Sequence, residues 1–426
     1  MTVKAIVKKI VPGFLINWYH FFLSFLGAFL YWFPSKKIKV IGITGTSGKS
    51  TTVELTARIL EEAGYRVALA SSIKFKIEKK EWENKLKMTM PGRLKLQRFL
   101  KEAVRAGCKY AVLEVTSEGI KQYRHKFIDF EVAVLTNLSP EHIESHGGFE
   151  NYRRAKAKLF EATKNFHIIN LDDKNAEFFL RIPAKRKIGF TTKLNQDQFL
   201  PKTRIVKGEN LEILPNGIKF SVGSVEFSLG LVGAFNVYNA LAAICIALSQ
   251  DISLDVCKRA LFKTKGIPGR MEVVIKEPFR VVVDYAITPV ALEKVYKTLS
   301  SEIKPQESKL ICVLGACGGG RDKWKRPVFG KIAAKYCKDI IITNEDPYDE
   351  DPMEIINQVA KGAGGKARRI LDRRKAIRKA LELAKPNDIV IITGKGCEPW
   401  MCLANDKKIP WDDRKVVKEE FQKIKN

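Results

Sequence analysis

The chain has 426 residues, 45% hydrophobic and 29% charged, a composition that suits two or three folded domains and excludes a disordered or low-complexity protein. A formal net charge of +28 attracts phosphates, nucleic acids and anionic membrane surfaces alike. Lysine and arginine are spread along the chain without a basic stripe interleaved with aromatics, so no nucleic-acid partner is expected.

In chain order the first feature is an uncharged run from Phe14 to Phe33, flanked by Lys8-Lys9 and Lys36-Lys37. As a helix rising about 1.5 Å per residue it is just long enough to cross a bilayer. Asn17, His20, Ser24, Gly27 and Tyr31 recur at helical spacing and give it one more polar stripe. Two readings stay open: association with the inner face of a membrane, or packing on its own protein. No small-residue cleavage site follows, so a removable signal peptide is not expected.

Next comes Val40-Ile41-Gly42-Ile43-Thr44-Gly45-Thr46-Ser47-Gly48-Lys49-Ser50-Thr51-Thr52. An apolar strand enters a glycine turn, and an amphipathic helix leaves it with Leu55, Ile59 and Leu60 on one face. Such a turn cradles a nucleotide phosphate, because backbone N–H groups point into it and the helix dipole adds positive potential. Lys49 then reaches the terminal phosphates and Ser50 can ligate Mg²⁺. The match is to the shorter form G-T-x-G-K-S, since Ile43 stands where the longer pattern has glycine.

Strand and helix alternate from there to about Lys265, as in an α/β domain. After the strand at 67–70 we read a linker with Thr89-Met90-Pro91-Gly92-Arg93, a helix over 94–106, and strands at 110–115 and 132–135. The first of these two strands ends in Glu114-Val115-Thr116-Ser117, the second in Thr136-Asn137-Leu138-Ser139-Pro140-Glu141-His142. Side chains at the carboxyl ends of parallel strands face the nucleotide crevice, so both aim polar groups at the phosphate site. A helix with Tyr152 and Lys156 follows, then a small β region over 188–229 and a helix over 240–248 preceded by Asn236 and Asn239, where helix capping is a competing reading.

Gly266-Ile267-Pro268-Gly269-Arg270 marks a boundary by its turn chemistry. Beyond it a second alternation, with glycine loops at 318–320 and 394–396, predicts a Rossmann-like parallel sheet. The expected architecture is α/β: an apolar helix segment over 1–38, a P-loop central domain with a mostly parallel sheet over 39–269, and a C-terminal Rossmann-like domain over 270–426. Eight cysteines form no C-x-x-C pair, and several, such as Cys245 and Cys312, lie in apolar runs. They read as reduced core residues of a cytoplasmic protein rather than a disulfide frame or zinc site.

Taken together, G-T-S-G-K-S, Glu114-x-x-Ser117, Asn137-Leu138-Ser139-x-Glu141-His142, Tyr152-x-x-x-Lys156 and Gly233-x-x-Asn236-x-x-Asn239 resemble the Mur ligase family. The second half is most similar to its UDP-N-acetylmuramoyl-tripeptide synthetase branch, through Asp284-Tyr285-Ala286-x-Thr288-Pro289, Gly318-Gly319-x-Arg321-Asp322-Lys323-x-Lys325-Arg326-Pro327, Asp346-Pro347 and Gly394-Lys395-Gly396-x-Glu398. The resemblance implies an ATP-dependent, ADP-forming ligase. A carboxylate is phosphorylated, and the acyl phosphate is attacked by the amine of an amino acid.

It also implies roles. Gly45, Thr46, Ser47, Gly48, Lys49, Ser50 and Thr51 bind the ATP phosphates, Asn236 the adenine, and Arg270 approaches the nucleotide from the domain boundary. Ser50 and Glu114 hold one Mg²⁺, His142 helps bind a second, and Lys156, carbamylated, becomes a further metal ligand. Arg321 and Lys325 bring charge when the domains close. Thr89, Ser117, Arg124, Asp346 and Glu398 fall on substrate positions. The implied partners are a muramyl-peptide-like acceptor and an amino acid, with a monomer as the oligomeric state. A folylpolyglutamate-synthase-like ligase and a non-ligase P-loop ATPase are the alternatives.

Departures from the pattern are Glu141 for aspartate, Thr116 and Glu118 on the acceptor strand, and Ile287, Val290 and Cys397 where the branch has two histidines and an aspartate. The uridine-nucleotide-binding domain expected ahead of the P-loop has no counterpart in residues 1–38. The arginine that reads diaminopimelate is also absent, its segment being Asn344-Glu345-Asp346-Pro347-Tyr348-Asp349. Glu345, Asp346 and Asp349 read either as a solvated acidic loop or as partners for the ammonium of a diamino acid.

Overall fold

A computed structural model describes residues 12–86, 88–193, 203–304 and 306–425, so the Lys8-Lys9 pair lies outside it. Nine strands build the first sheet: β1 (Lys39–Thr44), β2 (Val67–Ala70), β3 (Lys74–Ile77), β4 (Lys80–Glu83), β5 (Tyr110–Glu114), β6 (Phe130–Leu135), β7 (Thr163–Asn170), β8 (Arg186–Thr191) and β9 (Thr203–Lys207). Their spatial order is β4-β3-β2-β5-β1-β6-β7-β8-β9, and only the pairings of β3 are antiparallel.

The central strands are apolar on both faces because helices cover both. Ile41, Ile43, Val112 and Val132 meet the helices Lys49–Glu62 and Phe235–Ser249 on one side. Val40, Ala111, Leu113 and Ala133 meet Arg93–Arg105 and Phe149–Glu161 on the other. The period of two along each strand produces this split.

Three expectations need correction. The stretch after β2 is not a plain linker: it folds as the β3–β4 hairpin, and buried Asn84 ties its end to the carbonyls of Ser71 and Met88 at 2.8 and 3.0 Å. The β region over 188–229 divides. Its first strands complete the large sheet, while β10 (Glu209–Leu214), β11 (Gly217–Val222) and β12 (Val225–Leu229) form a separate antiparallel sheet whose Phe220 and Phe227 stack; residues 194–202 lie outside the described chain. Finally, Phe235–Ser249 starts earlier than expected. Ala234 is its N-cap, so Asn236 and Asn239 lie inside the helix and are not caps.

A second sheet comprises β13 (Glu272–Ile275), β14 (Arg280–Asp284), β15 (Leu310–Leu314), β16 (Asp339–Thr343), β17 (Ala367–Ile370) and β18 (Ile389–Thr393) in the order β13-β14-β18-β15-β16-β17, parallel except at β13. Apolar clusters again cover both faces.

The uncharged run forms the helix Gly13–Leu30, which lies against Arg93–Arg105. Its polar stripe faces inward. Ser24 Oγ donates to the Tyr123 carbonyl at 2.9 Å, His20 meets Arg93, and a Cβ on Gly27 would stand 3.5 Å from Leu94 Cα. Asn17, at the far end of the stripe, is exposed. No helix among the described residues is long and apolar enough to cross a membrane.

Candidate active site

The phosphate loop leaves the carboxyl end of β1, beside the ends of β5 and β6. Gly45 and Gly48 have φ of 150° and 82°, and a Cβ on either would fall 2.0 Å from Thr136 Oγ1 or 2.3 Å from Asn239 Oδ1. Only glycine fits. The amides of Thr46 and Ser47 donate to the carbonyl and side-chain oxygen of Asn137, at 2.9 and 3.0 Å. The cradle is therefore left to the first N–H groups of the helix Lys49–Glu62, which have no partner within a helix.

Lys49 Nζ donates to the Thr46 carbonyl at 2.9 Å and stands 3.9 Å from Glu114 Oε1. Burial pulls its pKa down while Glu114 opposes the shift. Glu114 Oε2 accepts from Ser50 Oγ and from the Ser72 amide, each at 2.9 Å, and the two hydroxyls are 2.8 Å apart. Arg270, crossing from the second half, donates to both hydroxyls at 3.3 and 3.2 Å and stacks on the Tyr285 ring. Ser72 was not among the expected site residues. Its signal was present, because it follows the carboxyl end of β2.

Lys156 is buried, with Nζ 2.9 Å from the Gly45 carbonyl and 4.6 Å from the centre of the Tyr152 ring. Desolvation first, and then the positive charge of Lys49, depress its pKa far below the usual lysine value. An amine with a weakened hold on its proton is thus kept beside the phosphate loop. Tyr152 in turn holds the loop, its hydroxyl 3.1 Å from Thr46 Oγ1.

The second half closes over this pocket. Lys325 Nζ donates to Glu141 Oε1 at 2.7 Å in a buried pair, and burial pushes the Glu141 carboxyl up against the pull of that lysine. Asp322 accepts the Ile143 and Glu144 amides at 3.2 and 3.0 Å, fixing the turn that carries His142. His142 has a left-handed backbone, and burial together with Arg321 and Lys325 keeps its ring neutral. Arg321 is in the field of Tyr285, Cys317, Tyr348 and Glu398.

The remaining expected residues fall around this centre. Asn236 is buried, donates to the Val232 carbonyl ahead of its helix at 2.8 Å and accepts from Asn239 at 2.9 Å, while Asn239 reaches the phosphate loop. Ser117 is buried at the start of the short helix Ser117–Lys121. Arg124 donates to the Met90 carbonyl and to Gln122 Oε1 at 2.7 Å, and burial brings its pKa down to about 10. Thr89 is half-buried one residue away.

Glu398 accepts from Tyr285 at 3.1 Å and from buried Lys395 at 2.6 Å, and Lys395 also pairs with Asp346 at 2.8 Å. The acidic segment is not a solvated loop as a whole. Glu345 and Asp346 are buried, with Cys317 donating to Glu345 at 3.1 Å, and only Asp349 is exposed. Cys317 and Cys397 line this side half-buried, whereas the other six cysteines are core.

Ser50, Ser72 and Glu114 present hard oxygen donors in one place, a set that suits Mg²⁺ completed by phosphate and water. No cluster of three or more His, Cys, Asp or Glu among the described residues would hold an ion by itself.

The Mur ligase middle domain matches residues 43–247, and the domain described as Mur ligase, glutamate ligase domain matches residues 269–396. The chain belongs to the Mur ligase family. It is accordingly an ATP-dependent carbon–nitrogen ligase with the α/β architecture expected from its sequence. The UDP-N-acetylmuramoyl-L-alanyl-D-glutamate--2,6-diaminopimelate ligase of Syntrophomonas wolfei is 38% identical over 406 residues, 93% of this chain and 81% of that one. A solved structure of a ligase with the same name superposes with a TM-score of 0.59 at 31% identity, over 91% of this chain and 79% of that one. The folylpolyglutamate synthase of Mycobacterium tuberculosis superposes with a TM-score of 0.70 over 87% of this chain and 92% of that one, but at 16% identity it speaks for the fold alone.

Proposed function

We propose that this Mur ligase adds an amino acid to a muramyl-peptide acceptor in peptidoglycan precursor synthesis, on the cytoplasmic side of the membrane. The observation that carries the reading is the closed constellation of Lys49, Ser50, Glu114 and Lys156 under Arg270 and Lys325. The name of the Syntrophomonas wolfei relative supplies the acceptor class.

In this mechanism ATP lies along the helix start at Gly48 to Thr51, with Lys49 on its terminal phosphates. The acceptor carboxylate attacks the γ-phosphorus, ADP leaves, and an acyl phosphate forms. Mg²⁺, held by Ser50 and Glu114 with His142 near a second site, would neutralise phosphate charge. Lys49, Arg270 and Arg321 neutralise the anions that both steps gather, and the closed second half keeps water from the acyl phosphate. The amino acid's amine then attacks the acyl carbon and phosphate departs.

Lys156 is read as the carbamylated lysine. In its unprotonated form the amine would add CO₂ and release a proton, and the resulting carbamate would supply a further ligand to the metal. Thr89, Ser117 and Arg124 handle the acceptor, and the Asp346, Lys395 and Glu398 group shapes the amino-acid side. With Tyr348 in place of the arginine that reads a distal carboxylate, an amino acid without that carboxylate suits the pocket. The test is ADP release and product mass over a matrix of muramyl-peptide acceptors and amino acids. Release driven by reduced folate and glutamate instead would replace this reading with that of a folate ligase.

A further inference from the structure

The face of Gly13–Leu30 turned away from the protein is its aromatic one. Trp18, Phe22 and Phe29, at spacings of four and seven, are 68%, 58% and 59% exposed, and Trp32 beyond the helix is 78% exposed. Phe14, Leu15, Tyr19, Phe25 and Leu30 enlarge the same surface. The opposite stripe, with His20, Ser24 and Gly27, is against Arg93–Arg105 and Tyr123. Sequence polarity is thus inverted relative to an ordinary surface helix: polar atoms face in and rings face out. A contiguous apolar patch of this kind marks an interaction site.

Charge around the patch selects the occupant. Lys36, Lys37, Lys95, Arg98 and Lys126 are all exposed at its rim. Lys36 lies over the Phe33 ring, Lys126 precedes Phe127, on which Phe21 and Phe25 pack, and Arg98 feels the Tyr31 hydroxyl. Acidic neighbours are few: Glu102, paired with Arg98, and Asp129. A second copy of the chain would bring two such basic rims face to face, at a cost in like-charge repulsion. Tryptophan, tyrosine and phenylalanine fringed by lysine suit instead the headgroup region of an anionic bilayer.

We propose that this helix docks the enzyme in the plane of an anionic lipid surface, rings inserted and lysines on the headgroups. A spanning pose is incompatible with the lateral packing of its polar stripe. The same helix braces Tyr123 and Arg93, which flank Arg124 and the 89–92 segment. Docking therefore turns that end of the site toward the lipid. This orientation rests on the acceptor roles proposed above, whereas docking itself does not.

The experiment is co-flotation of the full chain with vesicles of equal parts phosphatidylglycerol and phosphatidylcholine, alongside sedimentation of the free protein. The wild type should float, and binding should fall about fivefold for each of Lys36→Ala and Lys37→Ala, and with added salt. Trp18→Ser, Phe22→Ser and Phe29→Ser combined should remove at least ~100-fold of the binding while leaving thermal melting and ATP turnover unchanged, because these side chains touch no site residue. Failure of the wild type to float, equal flotation of the triple variant, or a dimer that the triple variant abolishes without any vesicle binding would each overturn the proposal.

Discussion

Lys49, half-buried on the phosphate loop, and Lys156, buried beside it, share one site, and the charge of Lys49 lowers the affinity of Lys156 for a proton. For Lys49 the lost hydration is offset by Glu114 and, in turnover, by phosphate. Lys156 has no comparable carboxylate within ion-pair distance among the described residues, so its amine is poised to react. Lys156→Ala should therefore cost at least ~100-fold in ligation rate, removal of CO₂ should slow the wild type, and a small carboxylate such as acetate should partly rescue the variant. Full activity of Lys156→Ala in CO₂-free buffer would refute the carbamate.

A second residue-scale expectation concerns acid. His125 is buried with no hydrogen-bond partner on either ring nitrogen, and burial brings its pKa from 6.5 to about 3. Between those values the unfolded chain holds a proton that the folded chain does not, so stability is lost as pH falls through 6.5 toward 3. At pH 5 the loss is about 2 kcal/mol. His125→Phe should flatten the dependence of the urea midpoint on pH by close to one proton, and an unchanged slope would count against the burial.

At the scale of elements, the strands that carry the chemistry were legible because their apolar runs end in polar clusters, as at Glu114 and Asn137. The β3–β4 hairpin was not, because its outer strand, Lys80-Glu81-Trp82-Glu83, is a charged and wholly exposed edge strand with no apolar alternation to read. The glycines of the phosphate loop were read as turn formers, but which contacts demand them appears only in three dimensions. Gly48 faces Asn239, nearly two hundred residues away in the chain. Gly48→Ala should raise the KM for ATP at least tenfold. Gly223→Ala, also at positive φ but with nothing within 4 Å, should cost about 1 kcal/mol of stability and leave that KM alone. Equal effects of the two on KM would mean that backbone strain, not the site, is being measured.

For the whole molecule, sequence motifs named Glu141 and Lys325 separately, and nothing in a spacing of 184 residues announces that they pair. The same is true of Asp322 under the His142 turn. These contacts are what make two α/β units one active site. Lys325→Met leaves Glu141 buried without its cation, a loss of about 3–5 kcal/mol, and should split thermal unfolding into two transitions while abolishing ligation. A single unchanged transition would show that the halves do not depend on this pair. ATP cleavage in this ligase is coupled to joining an acceptor carboxylate and an amine. ADP release measured with muramyl-peptide acceptor and amino acid, together and singly, tests it most directly: release should require the acceptor, rise further with the amino acid, and yield a product heavier by one residue. Release indifferent to both would rule this coupling out.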